Sequence, residues 1–79
     1  MKKLGALEPE QLLANAIIEQ AAEDYRTSLR ALKINPRNRE KLAMKENCER
    51  FFQSEWFEVL TKLDGAYLMR RLREEVIGK

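Results

Sequence analysis

Apolar residues recur at helical spacing along nearly the whole chain. Leu13, Ile17, Ile18, Ala21, Ala22, Tyr25, Leu29 and Leu32 follow one another by steps that keep them on one helix face. Pro9 suits the first turn of that helix, where its missing N–H goes unused, and Glu10 complements the positive end of the dipole. The pattern therefore predicts a long first helix from Pro9 to about Lys33. Acids crowd its N-terminal half (Glu10, Glu19, Glu23, Asp24) and bases its C-terminal half (Arg26, Arg30, Lys33), the order the macrodipole favours. Asn35-Pro36-Arg37-Asn38 ends it, because the residue before a proline is pushed out of the helical region. Either Asn35 or Asn38 can cap the next helix. That second helix carries Met44, Cys48, Phe51 and Phe52 on one face, and so short a connection makes it an antiparallel neighbour of the first.

Ser54 reads as a cap or kink before a short third helix holding Trp56, Phe57, Val59 and Leu60. Asp64-Gly65 marks a turn, with Asp64 as the cap of a last helix. Leu68, Met69, Leu72 and Val76 give that helix an apolar stripe, and Arg70, Arg71, Arg73, Glu74 and Glu75 a charged back. Its charges are expected to pair as Arg70–Glu74 and Arg71–Glu75. No alternating run is long enough for a strand. The fold class is all-α, one helical domain over residues 1–79 with residues 1–8 flexible.

Four of the six aromatic residues lie in the seven positions that run from Phe51 and Phe52 to Trp56 and Phe57. Rings of this size bury large areas, so the window is expected to be where the helices meet. Four rings on two short segments cannot all face one small interior. One or two are then left for a partner, with Phe51, Trp56 and Phe57 as the candidate protein interface. A chain of 79 residues with a single cysteine and no disulfide has a small core, which favours a homodimer or a partner.

Composition removes several kinds of chemistry. There is no histidine, so neither a His-based Ser or Cys triad nor an imidazole zinc site exists. Cys48 alone cannot supply a thiolate cage, and Gly5, Gly65 and Gly78 are too scattered for a phosphate loop. Glu19, Glu23 and Asp24 read as a solvated helix face, since a carboxylate cage needs several converging oxygens. No enzyme, metal or cofactor is expected. The lone cysteine suits a reducing cytoplasm. No apolar run reaches the length of a membrane span, and Glu8 and Glu10 interrupt the start before a signal-peptide core forms.

Fifteen bases against thirteen acids leave a net charge of +2, which excludes an indiscriminate DNA-coating polycation. The distribution is more informative. Residues 26–50 hold eight bases and three acids, whereas residues 1–25 hold two bases and five acids. Arg26, Arg30, Lys33, Arg37, Arg39, Lys41 and Lys45 thus form a basic elbow around the Asn-Pro turn. It is either a solvated face or a surface for an acidic partner or nucleic acid.

Two resemblances follow from these residues. Ala22-Glu-Asp-Tyr25-Arg-Thr-Ser-Leu29 through Asn35-Pro36-Arg-Asn38 resembles the second helix and exit turn of a tetratricopeptide repeat. No second copy follows, so the likeness is one of helix–turn chemistry. The blocks Phe51-Phe52-Gln-Ser54-Glu-Trp56-Phe57 and Asp64-Gly65-Ala-Tyr67-Leu68, with the Tyr25 and Asn35-Pro36 segments, are similar to a family of small proteins from prophages and mobile elements of Gram-positive bacteria. The similarity runs over roughly residues 16–77. It brings no activity with it, but it implies an accessory protein that binds host or phage machinery, such as an inhibitor of a CRISPR nuclease. A non-catalytic interaction module is therefore the expected function. The alternative is a small nucleic-acid-binding regulator acting through the elbow.

Overall fold

The computed structural model describes residues 9–78, which form four helices: α1 (Pro9–Ile34), α2 (Arg39–Phe52), α3 (Glu55–Leu60) and α4 (Gly65–Val76). Among the described residues there is no strand. The expectation of flexibility for residues 1–8 lies outside them. α1 is 26 residues long and so spans about 39 Å, the spine of a body measuring 52 × 24 × 20 Å.

Local capping sets the boundaries. Of the two asparagines at the elbow, Asn38 is the cap: its side-chain oxygen accepts from the Lys41 N–H at 3.1 Å. Asn35 instead closes the turn, accepting from the Arg37 N–H at 3.1 Å. The Ser54 hydroxyl donates to the Phe51 carbonyl at 2.7 Å and accepts from the Phe57 N–H at 3.1 Å. One side chain thus ends α2 and starts α3. Asp64 caps α4 through the N–H groups of Ala66 and Tyr67.

Contacts between helices give their directions. Tyr25 meets Glu49 and Phe52, while Ala16 and Ile17, further back on α1, line one groove with Phe51 and Trp56. α2 therefore runs antiparallel to α1. Arg26 reaches Glu75 and Lys33 reaches Val76, whereas Gly65 lies against Phe52 at the far end of α2. α4 consequently runs with α1 and against α2. The core between them is Ile18, Tyr25, Leu29, Cys48, Phe52, Phe57, Met69 and Leu72.

Leu13, expected in the core stripe, is 63% exposed, and Ala14 takes the inward position instead. The reason is length: α2 and α4 cover the C-terminal part of α1, and the six-residue α3 is the neighbour that remains for the N-terminal part. The pairing expected along α4 is also different. Glu75 turns to Arg26 at 2.8 Å, Arg71 pairs with Glu74 at 3.9 Å, and Arg70 lies over the Tyr67 ring at 5.3 Å. Ser28 is fully buried, a position the polarity of serine did not suggest. Its hydroxyl donates to the Tyr25 carbonyl one turn back at 2.8 Å, so burial leaves no polar atom unpaired.

Gly65 is the first residue of α4, and another stretch of backbone lies close against it. A Cβ there would overlap the Phe52 carbonyl oxygen and stand 2.9 Å from its carbon. The start of α4 therefore rests directly on the end of α2, which only glycine allows.

Candidate functional site: an apolar groove and a basic elbow

The five rings near the α2–α3 junction form one cluster graded from core to surface. Phe52 stands edge-on to Tyr25 at 5.7 Å and to Phe57 at 5.7 Å, and both phenylalanines are buried. Phe51 packs on Phe52, Phe57 and Trp56 at 5.5–5.6 Å and is half-buried. Trp56 is outermost, 56% exposed. Of the three residues expected at a protein interface, Phe57 is corrected: it is 1% exposed and belongs to the core. In a six-residue helix, residues 56 and 57 point about 100° apart, so one ring turns in and the other out.

Beside Trp56 an open groove of about 380 Å³ runs between the N-terminal half of α1 and the Phe51–Trp56 corner. Ala16, Ile17, Ala21, Phe51 and Trp56 line it, with Gln20 and Asp24 as its polar residues. The Asp24 carboxylate accepts from Gln20 at 2.9 Å. α1 carries Glu19, Glu23 and Asp24 but no base over residues 11–25, and α3 carries Glu55 and Glu58 but no base. The lining is mostly apolar, and the charged residues of its α1 and α3 walls are acids.

The elbow is less uniform than a count along the chain suggests. Arg26 is bound to Glu75 at 2.8 Å and Glu23 at 3.3 Å, Lys33 donates to the Val76 carbonyl at 3.0 Å, and Lys45 pairs with Glu49 at 3.0 Å. Arg26 and Lys33 thereby tie α1 to α4, whereas the Lys45 pair lies within α2. Arg30, Arg37, Arg39 and Lys41 have no ion pair among the described residues. Ile34 stands among them with 87% of its surface exposed.

Tyr25 anchors the polar network behind the groove. Its ring is fully buried, and its hydroxyl donates to Glu49 at 2.7 Å and accepts from Arg73 at 3.2 Å. Burial first, and then the hydrogen bond to Glu49, push this phenol up to about 12. Burial alone would raise the Glu49 carboxyl. The hydrogen bonds from Tyr25 and Lys45, with the charges of Lys45 and Arg73, outweigh it and hold the group below its ordinary value. Burial and the charges of Asp24 and Glu49 push the Cys48 thiol up, which keeps it protonated and a poor nucleophile.

The network sets the pH limits of the fold. The raised Tyr25 stabilises the fold fully below the unfolded value of 10, and that contribution is lost as pH rises towards 12. The depressed Glu49 contributes above its unfolded value of about 4.5, and its contribution is lost as pH falls through the lower folded value. Urea titrations across pH should show stability falling at both ends. Tyr25→Phe should remove much of the alkaline fall while keeping the ring packed. An unchanged alkaline limb in that variant would contradict the assignment.

Among the described residues no group of three or more His, Cys, Asp or Glu could hold a metal ion, and no helix is long and apolar enough to cross a membrane. No protein-family model matches the chain, and no curated protein or solved structure does either.

Proposed function

We propose that this protein is a non-catalytic interaction module that docks on another protein through the groove between α1 and the Phe51–Trp56 corner. The observation that carries this reading is Trp56, which is more than half exposed yet braced edge-on by Phe51, itself packed on Phe52 and Phe57. A large ring held rigidly at the surface loses little entropy on binding, which is why tryptophan dominates interface anchors. The resemblance to prophage and mobile-element proteins supports a host or phage protein as the partner, met in the cytoplasm. It also supports a role as inhibitor or modulator of host machinery such as a CRISPR nuclease.

A second reading, nucleic-acid binding at the elbow, is favoured by Arg37, Arg39 and Lys41, which no carboxylate neutralises among the described residues. One experiment separates the two. Under the interaction reading, the purified protein binds duplex or single strand no tighter than about 10 μM at physiological salt. A protein recovered from host lysate should then be lost on Trp56→Ala and kept on Arg37→Glu with Arg39→Glu and Lys41→Glu. Micromolar nucleic-acid binding that falls steeply with salt and vanishes in the triple variant would reverse the order of the two readings.

A further inference from the structure

The groove has a complementary shape elsewhere on the same molecule. Ile34 ends α1 as the most exposed large apolar residue described, with Pro36 exposed beside it in the turn. Around this apolar tip, residues 30–41 carry five bases and one acid. The groove inverts that arrangement on two of its three walls: it is lined by Ala16, Ile17, Ala21, Phe51 and Trp56, and α1 over residues 11–25 and α3 carry only acids, with Arg50 next to Phe51 on the α2 wall. We infer that the groove receives the Ile34 elbow of a second copy of this chain, so that copies associate head to tail.

The geometry excludes the same contact within one molecule. Asp24 marks the near end of the groove, and Ile34 lies ten residues further along the same helix, about 15 Å away on a rigid rod. An elbow can therefore enter only another copy's groove. Charge argues against the symmetric alternative. In an isologous dimer the groove face would meet itself, bringing the acids of α1 and α3 opposite their own copies. Head-to-tail docking instead sets Arg30, Arg37 and Arg39 of one copy against Asp24, Glu55 and Glu58 of the next, and opposite potentials favour encounter. The contact is heterologous, so it closes a ring or extends as a chain of subunits. It rests on the reading of the groove as a docking site, and there a second copy competes with a host or phage partner for the same groove.

Sedimentation of the purified full chain over a roughly hundredfold range of concentration, at low and at high salt, reads this directly. The sedimentation coefficient should rise with concentration, and the rise should shrink as salt screens the pairing. Ile34→Glu and Trp56→Ala should each require at least about tenfold higher concentration to associate. Circular dichroism checks that both variants keep their helices. Mixed together they should recover one contact: the Trp56→Ala copy supplies an intact elbow, the Ile34→Glu copy an intact groove, and the pair stops at a heterodimer. A wild-type protein that stays monomeric throughout would overturn the inference. So would association that Ile34→Glu leaves unchanged, the result expected of a symmetric dimer, or a mixture with no heterodimer. A monomeric wild type that still captures a partner through Trp56 would overturn this inference while leaving the docking function standing.

Discussion

Gly65→Ala should be the most damaging single-methyl change in this protein. The added carbon would overlap the Phe52 carbonyl oxygen, and neither atom can turn aside as a flexible side chain could. α4 would have to lift from the end of α2, loosening Met69 and Leu72 from the core. We expect a loss of about 3 kcal/mol or more, the upper end of what overpacking costs. For a domain of this size, that loss lowers the thermal midpoint by roughly 12–24 °C. Thermal unfolding followed by circular dichroism measures it. A fall of only a few degrees would mean that the two helix ends are further apart than described.

The second large effect contrasts two neighbouring rings. Phe57→Ala should destabilise by about 3–5 kcal/mol, because it empties a buried site walled by Phe51 and Phe52. Trp56→Ala removes a larger side chain, yet should cost about 1 kcal/mol or less, since more than half of the ring already faces water. Urea unfolding of both variants tests the order. Equal losses would show that Trp56 packs inside, and the case for an anchored surface ring would fall. The small cost at Trp56 is also what makes Trp56→Ala a usable probe of binding.

The helices were legible because their ends are written in local chemistry. Asn38, Ser54 and Asp64 accept from N–H groups two or three residues away, and Pro36 restricts the residue before it, all within reach of any reading of the chain. The all-α class and the long first helix follow from the same short-range rules. The site was legible only in part. The ring cluster announces itself as Phe51-Phe52 followed by Trp56-Phe57, but a six-residue helix has too few turns for periodicity to tell which ring points inward. The engagement of the elbow's bases was hidden for a different reason. Arg26 is paired with Glu75, 49 positions away, and Lys33 is held by the Val76 carbonyl, 43 positions away, so counting charges along the chain could not show which bases are engaged. The Tyr25–Glu49–Arg73 network was invisible on the same ground, since its members are 24 and 48 positions apart.

The unequal cover on α1 means that this one helix does not have one stability. Around Tyr25 and Leu29 the helix is packed into the core, and exposing its amides there to exchange with solvent deuterium requires nearly global unfolding. Before Ile18 the helix is more thinly covered, with Leu12 and Leu13 exposed, and opening there disturbs little of the core. The wall of the groove from Ala16 to Asp24 straddles this boundary. Whatever occupies the groove must therefore hold still a stretch of backbone that otherwise breathes. Part of the binding free energy goes into that ordering, and the measured affinity is correspondingly weaker than the contact surface alone would give.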